Sequence, residues 1–245
     1  MSLNEIAATA AKAVRGRGHP EGIAEEMGFA VRWLCERELP GVAMLLSALD
    51  KRSMAEAAVI PVIDRADGVI RLRSTGGDPL PALRVAPSMA ELAAVELDWT
   101  DGTSADGSSP RSLEVDSLTH PLLLVPLVAR HGSSRLAARW STPDGPVAMD
   151  RSGDGLRIRA GSASALGAGV GHDVILGVAP DGRNGPPDVM TSAELEAASQ
   201  RSLTSGCAVD TADWDRLARW ARRTYVPVSE ESRLRGAGAG LTDND

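Results

Sequence analysis

The sequence predicts an α+β fold, in which a mostly antiparallel sheet from the middle of the chain is covered by N-terminal and C-terminal helices. Well-marked helix starts lie towards both ends, and short period-two runs separated by turn residues fill the middle. Helices, then strands, then helices is the order of α+β rather than of repeating βαβ units.

Four helix starts carry Ser or Thr followed three residues later by Glu: Ser2 with Glu5, Ser53 with Glu56, Ser88 with Glu91 and Thr191 with Glu194. Such a pair satisfies orphan backbone donors from both sides of the first turn. Met1 against Ile6 and Met190 against Leu195 add a hydrophobic staple to two of them. The first helix presents Leu3, Ile6, Ala7, Ala10 and Val14 on one face and stops at Gly16-Arg17-Gly18. The second opens after Pro20 and repeats Ile23, Met27, Ala30, Val31 and Leu34 at helical spacing until Pro40-Gly41. A short third helix, Val42 to Leu49, completes a helical unit over residues 1–50.

From Ile60 the period shortens. Ile70 and Leu72 alternate with Arg71 and Arg73, as on a strand with one buried face. A helix follows near 88–98, and Asp101 to Arg111 reads as a loop rich in Gly, Ser and Asp. Strands are expected at Leu122–Arg130, Arg135–Trp140, Val147–Met149, Leu156–Arg159 and Val174–Val178. Pro143-Asp144-Gly145 and Asp154-Gly155 separate some of them and predict hairpins. Two helices over residues 191–224 and a final segment over 225–245 complete one expected domain, 1–245.

Hydrophobic residues make up 43% of the chain and charged residues 24%, which places it among folding, soluble sequences. Aromatic residues are only 3%, so the core must be aliphatic and rich in Ala, with helices and sheet in close approach. The basic residues are almost all Arg, Lys12 and Lys51 excepted, as in proteins of GC-rich bacteria. A net charge of −7 and a pI near 5.2 argue against broad nucleic-acid binding and against anionic membrane surfaces. Met1 to Glu5 lacks a basic and an apolar signal region, and Leu122 to Ala129, the longest apolar stretch, is far too short to span a bilayer. Cys35 and Cys207 stand alone, without metal-spaced His, so neither a disulfide framework nor a metal site is expected, and the cytoplasm is the expected location.

Histidine titrates near neutral pH and is the first place to seek catalysis. His19, His120 and His131 read as solvent or capping residues. His172 follows Gly161 to Gly171, where Gly169 and Gly171 let backbone N–H groups approach an anion. A dinucleotide fingerprint from Gly167 fails, because its third Gly falls on His172 and a strand follows instead of a helix. Glu25 and Glu26 point apart on their helix and form no acid/base couple.

The C-terminal segment holds the chain's one Tyr and a cluster of hydroxyl, acidic and basic groups. It reads either as a free tail or as an ordered, functional segment. In the functional reading, Tyr225, Glu230 and His172 are the candidate catalytic residues. Ser229, Ser232, Arg233, Gly169 and Gly171 would bind substrate, with Arg gripping a carboxylate. The chain is then a small-molecule enzyme or enzyme subunit acting on a carboxylate-bearing substrate, its cofactor unspecified. The alternative is a non-catalytic protein that docks this segment on a partner chain, in a homo-oligomer or on another subunit.

Ser2-Leu3-Asn4-Glu5-Ile6, Ala24-Glu25-Glu26-Met27-Gly28 through Leu34, and Tyr225-Val226-Pro227 through Asp245 together resemble a bacterial family known only as a domain of unknown function. The resemblance implies a cytosolic bacterial protein and brings no catalytic residue with it. The N-terminal helices also resemble those of the malate/L-lactate-type dehydrogenases outside the Rossmann class. Those carry Ser-His-Gly after the second helix, whereas Leu39-Pro40-Gly41-Val42 stands here, without the His that hydride transfer would most need.

Overall fold

Helix α1 (Leu3–Gly16) starts where the Ser2 hydroxyl accepts the Glu5 N–H at 3.1 Å, and helix α7 (Ser192–Ser205) starts at a complete capping box between Thr191 and Glu194. The computed structural model describes residues 1–50, 61–66, 68–97, 112–131, 136–152, 155–178 and 188–225. The expected helix start at Ser53 and the loop Asp101 to Arg111 lie outside them.

Helices α2 (Glu21–Glu36) and α3 (Gly41–Asp50) follow α1 as the periodicity requires, with Met27, Val31, Leu34, Leu45 and Leu49 fully buried. Strands β1 (Pro61–Ala66), β2 (Val69–Ser74) and β3 (Leu80–Pro81) lead into α4 (Ala82–Glu96). Then come β4 (Ser112–Thr119), a 3-10 turn at Pro121–Leu123, and α5 (Val125–His131). Strands β5 (Leu136–Thr142), β6 (Gly145–Ser152) and β7 (Gly155–Ala160), the single turn α6 (Ala163–Leu166), β8 (Val170–Val178) and β9 (Asp188–Met190) complete the middle. Helix α8 (Thr211–Ala221) closes the described chain with a 3-10 turn at Arg222–Thr224.

Two expectations need correction. Leu122–Arg130 is not a strand but the 3-10 turn and α5. Its residues from Leu122 to Ala129 are buried on every side, so the apolar run shows no period, and a short buried helix then reads like a buried strand. Ser88 is not a helix start either, because it lies inside α4, which begins at Ala82. The Ala82 N–H is instead capped by the Thr119 hydroxyl at 3.2 Å, a partner remote in sequence.

Among the described residues the strands form one nine-stranded sheet in the order β1-β2-β4-β8-β5-β6-β7-β9, with β3 beside β4. Among the described residues only the β2–β4 and β3–β4 pairs are parallel. Register sets Ile70, Leu113, Leu176, Ala138, Met149 and Ile158 in one row across the sheet, all buried under the helices. Each large member of such a row contributes roughly 1.5–3 kcal/mol by leaving water. The opposite face carries charge, including the Arg71–Glu114 ion pair at 3.3 Å and an Asp150–Arg159 pair.

Candidate functional site

Strand β4 ends at Thr119, and the next residue, His120, turns into the left-handed region (φ 49°, ψ 54°). The following Pro121 disfavours a right-handed helical conformation at this position. Left-handed backbone costs a residue with a side chain about 1–2 kcal/mol, so the surroundings must hold it. They do so through backbone bonds on both sides: the His120 N–H donates to the Gly169 carbonyl at 3.1 Å, and the His120 carbonyl accepts from the Leu123 N–H at 3.0 Å.

Against the expectation of a solvent or capping role, the His120 side chain is buried, 1% exposed. Its Nε2 lies 3.0 Å from the Oγ of Ser47, a half-buried residue on α3. Four parts of the chain therefore meet here: the end of β4, α3, the loop before β8, and the start of α4 through Thr119. Gly171 completes the packing, since a β-carbon there would stand 2.8 Å from Pro121 Cγ and from Trp140 Cδ1.

A hydroxyl within hydrogen-bond reach of an imidazole is the arrangement in which a proton passes between oxygen and nitrogen. Burial makes any such hydrogen bond electrostatically stronger than it is in water. Among the described residues no cluster of three or more His, Cys, Asp or Glu offers a metal site.

Of the residues singled out in the sequence, Gly169 and Gly171 lie beside His120. His172 does not turn inward with them. It is exposed, and its backbone stands opposite Ser117 and Ser141 in the sheet. Tyr225 is 58% exposed at the end of the described chain, its hydroxyl 3.4 Å from Lys12 Nζ on α1. Helix α1 packs on α2, α8 and α3, so Tyr225 belongs to the outer helical layer rather than to the sheet. Ser229, Glu230, Ser232 and Arg233 lie outside the described residues. Sequence reasoning missed His120 and Ser47, and the His-Pro step between a strand and an aperiodic apolar run was the one local signal.

Residues 1–73 match the model of a family described as a protein of unknown function (DUF3726). No curated protein matches the chain. Among solved structures, malate dehydrogenase from Pyrococcus horikoshii OT3 superposes with a TM-score of 0.57 at 9% identity, over 91% of this chain and 94% of that one. Sulfolactate dehydrogenase from Methanocaldococcus jannaschii gives 0.53 at 8% identity, over 91% and 96%. Malate dehydrogenase from Entamoeba histolytica gives 0.52 at 9%, over 93% and 98%. At such identities the likeness is one of fold.

Proposed function

We propose that this chain acts on a small carboxylate-bearing molecule, with His120 holding or moving the proton and Ser47 hydrogen-bonded beside it. The observation that carries the reading is the 3.0 Å contact between the buried His120 and the half-buried Ser47, kept in place by a backbone conformation that costs energy. Strain of this kind concentrates at sites where position matters more than stability. The shared fold adds support, because malate and sulfolactate, named for the neighbours, are both hydroxy acids bearing a carboxylate. In this reading the chain works as one domain, the loop at Gly169 and Gly171 lies against the reacting group, and no cofactor is specified.

A second reading, a binding protein without turnover, draws on the place after α2. Leu39, Gly41 and Val42 are buried there, and no histidine stands among them. One experiment separates the two. Melting temperature is measured against a panel of 2-hydroxy and 2-oxo carboxylates, since a ligand of the folded state raises it by mass action. Each stabilising compound is then followed for chemical conversion. A hit converted by the wild type but only bound by His120→Asn supports the first reading. A hit bound and never converted supports the second, and a panel without hits removes both.

A further inference from the structure

A second cavity, of about 330 Å³, opens where α2, α5, β6, β7 and α7 meet, and none of its lining residues belongs to the His120 site. Two guanidiniums, from Arg37 and Arg151, share its wall with Trp33 and Leu156. Arg37 lies over the Trp33 ring at 4.0 Å and donates through Nη1 to the Trp33 carbonyl at 3.1 Å and to Glu36 Oε1 at 3.3 Å. Among the described residues its Nε and Nη2 donors have no partner. Arg151 reaches the Ala129 carbonyl through Nη1 at 3.4 Å, a long contact for a charged donor.

Burial lowers the Arg37 pKa, the charges of Glu36 and Glu196 oppose that shift, and the charge of Arg151 adds to it. Both side chains line the one cavity, so their like charges face a common space. A third group points the same way: Ser192, at the first turn of α7, lines the cavity, and its buried Oγ meets no hydrogen-bond partner among the described residues. Like-charged guanidiniums and an unmet hydroxyl around one space are the features of an oxyanion site.

We propose that this cavity binds a small organic carboxylate, its oxygens shared by Arg37, Arg151 and the Ser192 hydroxyl. A carboxylate suits it better than a phosphate dianion, because two acidic groups stand close. Glu196 lies in the wall and accepts from Gln200 at 2.9 Å, and Glu36 accepts from Arg37 and from Ser199 at 2.8 Å. Leu156 and Trp33, both half-buried in the same wall, suit a short apolar chain on the same ligand.

The test uses the full chain, labelled with ¹⁵N and titrated with sodium propionate and, separately, inorganic phosphate at fixed ionic strength. The readout is the Trp33 indole N–H resonance, assigned with Trp33→Phe. Propionate is expected to shift it saturably, and Arg151→Gln should weaken the apparent affinity about tenfold or more, the size of losing a hydrogen bond to a charged group. His120→Asn should leave the titration unchanged. The proposal falls if propionate gives no saturable shift, if only phosphate does, or if Arg151→Gln binds as the wild type does. Loss of the shift in His120→Asn with retention in Arg151→Gln also overturns it, by placing the anion at the other site.

Discussion

A methyl group at position 171 would have to displace both Pro121 and Trp140, which pack around the turn that holds His120. Gly171→Ala is therefore expected to cost about 1–3 kcal/mol, the usual range for overfilling a packed core. Chemical denaturation checks it, through a lowered midpoint with an unchanged slope. Ser47→Ala is a gentler change, removing one hydrogen bond and costing about 1 kcal/mol, so its fold should survive for ligand binding to be compared with the wild type. The sequence marks Gly171 as unusual but hides what it is for. Glycines at 169 and 171 can be read as an anion nest before His172, yet their neighbour in space is a different histidine, some fifty positions earlier. Nothing in a single sequence brings residues 47, 120 and 169 together, because the approach depends on how β4 pairs with β8.

At the scale of the element, local chemistry was legible at α1, α7 and α8, which cap themselves, though not at the single turn α6 behind its Ser162 cap. Thr191 and Glu194 announce α7, and Asp210 starts α8 by accepting from the Ala212 and Asp213 N–H groups. Where the cap comes from elsewhere, as Thr119 serves α4, the signal is absent and Ser88 misleads. Thr191→Ala should cost about 1 kcal/mol. A pH dependence accompanies it: the Thr191 backbone N–H, and then its hydroxyl, hold the Glu194 carboxyl below its ordinary value of 4.5. A depressed acid stabilises the fold above its unfolded pKa and loses that contribution as pH falls through the folded value. The stability lead of the wild type over Glu194→Gln should accordingly be present at neutral pH and vanish well below pH 4.5, which urea titrations at the two pH values read directly. Strands were legible by the same local logic: Ile70 with Leu72 and Leu156–Arg159 alternate cleanly, whereas the all-buried Leu122–Ala129 gives no period to read.

Across the whole molecule, the two ends of the described chain hold each other. Arg17 and Arg223 each lie 4.2 Å from the Trp220 ring on α8, and the Met1 amine and carbonyl exchange bonds with Cys207 at 3.0 and 2.9 Å. Arg216 pairs with Asp50 and Arg201 with Glu38, tying the C-terminal helices to the N-terminal unit. The two ends also come close at Gly16, where a β-carbon would fall 2.0 Å from the Trp220 carbonyl oxygen. Gly16→Ala is expected to push α8 off α1, lowering the melting temperature and exposing Trp220 to a fluorescence quencher.

That contact between residues 16 and 220 also sets an order of events in time. Translation delivers the α1–α2 hairpin well before α8, so the surface of α1 on which α8 packs waits for its partner. Closing so long a loop is entropically costly and comes after the local contacts. The docking of α8 should then be a late step, absent from the folding transition state. Trp220→Ala is expected to speed unfolding while leaving the refolding rate nearly unchanged, as stopped-flow measurements would register. A nascent chain stalled before residue 211 leaves the α8-facing surface of α1 uncovered.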